Sequence, residues 1–439
     1  MGCAVALVAG VAAVSAQMPV TDPLRTIAER YVKLVLAVGQ HDADYVDAFY
    51  GPAEWRKQAE ASKTPLAAID SQAAAVEADL AKTGVTAASA KAPKPQEKAE
   101  AELWSLRRQY LARQLSAMRS RIGMLQGKKL TFDEESLALY DAVAPVKPES
   151  EFQAVLAQLD ARLPGEGSLI DRYDAYKQGF VIPKARVDRV FQEAIRGCRQ
   201  RMSFVNLPIE ESFRVEYVTG KSWSGYNWYQ GNFKSLIQVN TDLPIYIDRA
   251  IDLACHEGYP GHHVYNALLE KNLVRDRGWI EFTVYPLFSP QSLIAEGTAN
   301  YGIEVAFPVQ DRLRFEQDVL FPLAGLDTKK VIGYYEVLDL VDRLSYAGNE
   351  AARKYLNGEI NRDSAVAWLE KYAMYTKPRA EQRVRFIDQY RSYVINYNLG
   401  KDLVRAYVER KMGRDKTPQG RWREFVALLS SPRLPSGLK

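Results

Sequence analysis

The sequence predicts a mainly α-helical protein with a small β-sheet beside one central helix, and three observations lead there. Apolar residues recur at helical intervals over long stretches. The plainest is 100–126, where Trp104, Leu111, Leu115, Met118, Ile122 and Leu125 form one packing seam. Two short segments, 213–218 and 235–240, are instead β-prone. Finally, three of the four histidines fall within residues 254–263, so one stretch gathers most of the imidazole the chain possesses.

Residues 3–16 are small and apolar, and Val14-Ser15-Ala16 before Gln17 reads as a signal-peptidase site. A signal peptide over 1–16 is therefore expected, with a periplasmic or secreted protein; Gly2-Cys3 offers a lipoprotein site as the alternative. The run is too short to span a bilayer, and no integral membrane segment is expected in the mature chain. A hydrophobic content of 47% and a charged content of 26% are those of a globular protein, and a net charge of +4 over 439 residues gives no argument for nucleic acid as a partner. Cys198 and Cys255 are too few for a disulfide framework. Cys255 adjoins His256, but neighbouring side chains on a helix diverge by about 100°, which favours a buried structural thiol over a ligand.

In chain order, amphipathic patterns predict helices over 22–39 and 42–52, the second ending at Gly51-Pro52, with His41 a surface residue at their junction. Residues 83–98 read as an exposed loop. On the helix 100–126, Arg107, Arg108, Arg113, Arg119 and Arg121 fall mainly off the apolar seam and are expected to face solvent. Thr131-Phe132-Asp133-Glu134 is a capping box opening a helix that runs toward Ala144. Helical texture resumes over 149–163 and 184–202. An N-terminal helical region (17–160) and a catalytic region (161–439) follow, which can equally form one continuous structure. Between the two β-prone segments lies a Gly- and aromatic-rich stretch, 220–231, without phosphate-loop spacing. Residues 236–240 are expected either as an edge strand that binds extended peptide or as part of a plain hairpin. The last third is helical over 329–347, 349–356, 362–374 and 379–396.

The histidine stretch reads Ala254-Cys255-His256-Glu257-Gly258-Tyr259-Pro260-Gly261-His262-His263. Its helix is expected to start at Asp242, as cap, and Pro244. In His-Glu-x-x-His, two histidines four residues apart share a helix face and bind zinc. Here the second histidine comes six or seven residues after the first. Seven residues climb roughly 10.5 Å along an unbroken helix, too far for two nitrogens that each lie about 2.0–2.1 Å from one zinc. The helix must therefore break between them, and Pro260 with Gly261 supplies the break. The result is a zincin pattern with two residues inserted. His256 and His262 are the expected ligands, with His263 in reserve, and Glu257 is the expected general base. Downstream, Glu296, Asn300 and Glu304 recur every four positions among small residues. Glu296 is the candidate third ligand and Asn300 a residue that could orient a ligating histidine.

His256-Glu257-x-x-Pro260-Gly261-His262-His263, followed by Glu296-Gly297-x-Ala299-x-Tyr301, resembles the bacterial family called domain of unknown function 885. Val239-Asn240-Thr241 and Tyr397-x-x-Gly400 fit the same pattern. The resemblance implies a largely helical zincin-like metallohydrolase with His256, His262 and Glu296 as ligands and Glu257 as base. The family often has Pro-Gly-Gln shortly before the late tyrosine, where this chain has Arg391-Ser392-Tyr393. With no histidine left to stabilise an oxyanion, a tyrosine or arginine must do so, and Tyr397 is the candidate. The expectation is a hydrolase with one Zn2+ that cleaves peptide or peptide-like amide bonds. The alternatives are a zinc hydrolase of non-peptide amides or esters, and a non-catalytic exported binding or scaffold protein.

Overall fold

A computed structural model describes residues 22–83 and 95–439 and is mainly α-helical with two small sheets. The expected signal peptide, and most of the expected loop over 83–98, lie outside the described residues. No described helix is long and apolar enough to cross a membrane.

The N-terminal helices follow their apolar faces. Helix Arg25–Val38 buries Ile27, Tyr31, Val32 and Val35, and the long helix Pro95–Leu125 buries Leu111, Leu115, Met118 and Ile122 in the same core. That core runs on without interruption to Leu293, Ile395 and Leu438. The capping box at Thr131 forms with both of its reciprocal bonds, although its helix, Phe132–Tyr140, stops short of Ala144 at Asp141 in the left-handed region.

Two expectations fail here. Residues 42–52 form no helix; Val46–Phe49 is a strand (β1) paired antiparallel with Val284–Pro286. Its pattern of Tyr45, Phe49 and Tyr50 suits either element, and the distant partner decides. Nor do all the arginines of the long helix face solvent. Arg107 is fully buried between Trp104 and Trp279, clasped by Glu281 through two bonds of 2.5 and 3.1 Å and by Asp22 at 2.8 Å. A charge enters a core only with such partners.

The larger sheet has strands Ser212–Val218 (β2), Gly225–Gly231 (β3) and Lys234–Asn240 (β4), in the order β2-β4-β3. β4 runs parallel to β2 and antiparallel to β3, so it is central. Residues 236–240 thus have both backbone edges engaged and cannot accept a peptide by strand addition; the Gly- and aromatic-rich stretch contributes β3, on the outside.

Two further helices complete the setting. Helix Pro290–Ala306 crosses helix Ile395–Met412 at Gly297 and Gly400 in direct backbone contact. A Cβ on Gly297 would lie 2.5 Å from the carbonyl carbon and oxygen of Gly400. The expected single helix 379–396 is two, Lys377–Tyr390 and Ile395–Met412, joined by a short turn where Arg391 adopts φ 52°. Glu135 holds that turn, accepting from Arg391 Nε and from Ser392 N and Oγ.

Candidate metal centre

The histidine helix starts later than its sequence suggests. Asp242 caps no helix; its carboxylate accepts from Gly220 N and Lys221 N, and the helix begins at Asp248. After Leu253 it widens into a π turn over Ala254–Gly258, closed by Tyr259 N donating to Ala254 O. The chain then breaks, and a new helix, His262–Leu269, begins after Gly261. Gly261 N donates to Cys255 O at 2.8 Å, which draws the two segments so close that a Cβ at 261 would lie 1.8 Å from the His256 carbonyl oxygen. Only glycine fits there. The wide turn and the break together fold the second histidine back over the first, and the two Nε2 atoms stand 3.1 Å apart.

His263 points elsewhere. It is fully buried, with Nδ1 2.9 Å from Ser235 Oγ and Nε2 2.8 Å from Glu211 Oε2, and it joins the sheet to the core. Cys255 is also fully buried, and burial first, then the neighbouring Cys198, pushes its thiol well above its ordinary pKa.

Glu296, on Pro290–Ala306, brings Oε2 to 3.2 Å from His256 Nε2 and 3.7 Å from His262 Nε2. Its other oxygen accepts from the buried Tyr393 hydroxyl at 2.8 Å, which fixes the direction of the carboxylate. One turn on, Asn300 Nδ2 donates to the Tyr397 carbonyl, so Oδ1 faces His256 Nδ1 at 3.2 Å and must accept its proton. That leaves the Nε2 lone pair of His256 directed at His262 Nε2 and Glu296 Oε2. Glu304 lies apart from this group, bound by Lys401 and Arg405.

Three atoms with separations of 3.1, 3.2 and 3.7 Å fit one zinc. Tetrahedral ligands at about 2.0–2.1 Å stand about 3.3–3.4 Å from one another. The charges agree. Glu257 Oε2 and Glu296 Oε2 are both buried without a hydrogen-bond partner, which is costly unless a cation accompanies them. Burial acts to lower the pKa of His262, yet Glu296, Glu257 and Asp47 outweigh it and push it up to about 9: the pocket favours a positive charge. Burial likewise acts to raise Glu296, but the two imidazoles hold it well below the usual carboxylate range. Glu257 also offers an oxygen within 4.8 Å of both imidazoles, so two carboxylates compete for the ligand role. Glu296 has the closer fit to both nitrogens. Glu257, raised by burial more than His256 and His262 lower it, stands beside the centre against Gly225, where a Cβ would meet its Oε1 at 2.9 Å.

These groups line a cleft of about 1160 Å³. Tyr397 is half-buried on its wall, and its hydroxyl has no hydrogen-bond partner among the described residues. Sequence reasoning missed Asp47 on β1 and Tyr226 on β3, whose hydroxyl donates to it. Burial first raises Asp47, to about 6, against the bond from Tyr226. Misreading 42–52 as a helix hid this residue. Tyr393 was visible only as one tyrosine among many.

No family model and no curated protein matches the chain. Among solved structures, a candidate lipoprotein from Colwellia psychrerythraea superposes with a TM-score of 0.49 at 14% identity, over 84% of this chain and 65% of that one, so the chain spans just under two thirds of that protein. The protein named BsuCP gives a TM-score of 0.46 at 12% identity, over 93% of this chain and 88% of that one. A candidate lipoprotein of unknown function from Shewanella oneidensis gives 0.42 at 12% identity, over 94% and 79%. Superpositions at this level transfer no property to this chain.

Proposed function

We propose that the protein is a zincin-like, zinc-dependent hydrolase of peptide or peptide-like amide bonds, with His256, His262 and Glu296 as ligands. The observation that carries this reading is the convergence of two imidazole nitrogens and one carboxylate oxygen at zinc spacing, with Glu257 buried beside them. A zinc ion there would supply Lewis acidity, polarising a carbonyl and making water more acidic.

The chain's own residues then have distinct tasks. Glu257 accepts a proton from the attacking water as its oxygen bonds to the carbonyl carbon, and returns that proton to the leaving nitrogen as the C–N bond breaks. Its backbone carbonyl accepts from Asn227 Nδ2 at 2.8 Å, which ties the base to β3. Asn300 keeps His256 in the tautomer that presents Nε2, and Tyr393 keeps one oxygen of Glu296 turned inward. The Tyr397 hydroxyl, free on the cleft wall, donates to the oxygen on which negative charge develops.

The test is metal content together with digestion of a peptide mixture read by mass spectrometry. Glu257→Gln should keep its zinc and lose turnover by about a hundredfold or more, whereas His256→Ala should lose the zinc. Full activity in the first variant, or stoichiometric zinc in the second, refutes the assignment.

A further inference from the structure

The cleft extends from the metal centre to a second wall whose chemistry the reaction leaves unused. Lys177, on helix Leu169–Gln178, is only 8% exposed, yet its ammonium makes no ion pair or hydrogen bond among the described residues. Its ammonium sits 3.8 Å from the ring centre of Tyr246 and 5.5 Å from that of Tyr173. Arg379 and Arg383, one turn apart on helix Lys377–Tyr390, line the same cleft, and neither has a carboxylate within 4.0 Å among the described residues. The Arg379 guanidinium stands 4.5 Å from the ring centre of Tyr375, and that of Arg383 stands 5.7 Å from the ring centre of Tyr397. This wall therefore reaches the residue proposed to face the reacting carbonyl.

The acids nearby bond other partners, although Asp248 and Asp174 still attract Lys177 through space. Asp252 is shared by Arg249 and Arg312, Asp248 accepts from the Tyr334 hydroxyl, and Asp174 accepts from Gln178. The excess of positive charge is felt locally. Burial most of all, opposed by Asp248 and Asp174 but aided by Arg379 and Arg249, lowers Lys177 to about 8; Arg379 and Arg383 overcome burial to bring the Tyr375 hydroxyl below its ordinary value. A buried ammonium with no carboxylate partner, beside two guanidiniums that have none either, favours an anion that joins them.

We propose that Lys177, Arg379 and Arg383 form a subsite for a carboxylate of the substrate, so that the amide presented to the metal centre belongs to an acidic peptide. This rests on the hydrolase reading for what lies at the other end of the cleft. The carboxylate can be a chain terminus or an acidic side chain, and both present the same two oxygens to a guanidinium fork.

The experiment is calorimetric binding to the zinc-loaded full chain carrying Glu257→Gln, so that turnover does not interfere. The probes are three N-acetylated tripeptides: trialanine as free acid, trialanine as C-terminal amide, and Ala-Glu-Ala as C-terminal amide. At least one carboxylate-bearing peptide should bind about tenfold to a hundredfold more tightly than the neutral amide. Preference for the free acid assigns the terminus, and preference for Ala-Glu-Ala amide assigns a side chain. Arg379→Gln with Arg383→Gln, both reachable by solvent, should erase the preference without changing zinc content or melting temperature. Equal binding of all three peptides, binding of none, or a preference that survives the double variant overturns the subsite. Because these outcomes need no catalysis, they are separable from failure of the hydrolase reading. Cleavage of acidic and neutral peptides without any binding preference defeats the subsite alone, and a clear preference in a wild-type chain that cleaves nothing supports the subsite and defeats the hydrolase.

Discussion

Gly261→Ala is the sharpest test of how the centre is built. A Cβ at this position would lie 1.8 Å from the His256 carbonyl oxygen and 2.4 Å from the Cys255 carbonyl oxygen. Both are backbone atoms, so no rotamer change relieves the clash. Bringing the closer contact out to 3.0 Å requires the two segments to separate by about 1.2 Å. Metal–ligand distances tolerate about 0.2 Å, so the movement exceeds the tolerance several-fold, and His262 would be carried away from His256. Overpacking adds about 1–3 kcal/mol of destabilisation. In a chain of this length that lowers the melting temperature by only a few degrees, about 1–4 °C. The expected outcome is a folded protein that has lost most of its zinc. The measurement is zinc stoichiometry by elemental analysis after dialysis against a weak chelator, alongside calorimetric melting. If Gly261→Ala retained one zinc per chain at wild-type affinity, the close approach of 261 to 256 would not be what sets the ligand spacing, and the account of the broken helix would fail.

Asn300→Leu removes the acceptor that fixes the His256 ring and should weaken zinc binding by about 10–100-fold in a competition titration, with little change in fold; unchanged affinity would remove Asn300 from the centre. Arg107→Met strands Glu281 in the core and should cost about 3–5 kcal/mol in denaturant unfolding, much of it restored by adding Glu281→Gln. A loss below 1 kcal/mol would show that the pair is not isolated from water. Lys177 is held at about 8 against an ordinary 10.5, so the fold binds its proton more weakly than the unfolded chain does. It therefore penalises stability below pH 8, and the penalty fades between pH 8 and 10.5. Lys177→Met should accordingly be more stable than the wild type by up to about 3 kcal/mol at pH 7, converging on it near pH 10.5. An offset that does not change with pH would refute this.

The parts of the structure legible in the sequence were those specified by neighbours along the chain. The Thr131 capping box needs only residues 131–134, and the need for a break between His256 and His262 follows from helix rise alone. The four-residue recurrence of Glu296 and Asn300 placed them on one face, and the structure brings both to His256. What escaped depends on distant partners. Strand β1 exists because Val284–Pro286 lies beside it, and Asp47 enters the cleft only as part of that strand. Arg107 looked like any surface arginine until Glu281, Asp22 and two tryptophans enclosed it. The π turn at Ala254–Gly258 has no local signature; the proline and glycine that follow announced a break but not the widening before it. His262 and His263 are adjacent, and only the positions of Ser235 and Glu211 separate their roles.

The crossing at Gly297 and Gly400 has a mechanical corollary. With no side chain between them, the two helices act as a single jaw whose thickness is set by main chain alone. Glu296 rides on one blade and Tyr397 on the other, while Tyr393, which clamps Glu296, sits in the turn that leads into that second blade. Enlarging either glycine would wedge the blades apart and loosen the grip on Glu296, the Asn300 brace on His256 and the hydroxyl on the cleft wall in one stroke. Fine adjustment of this pocket therefore has to come from its floor or its far wall, since the hinge side leaves no thickness to trim.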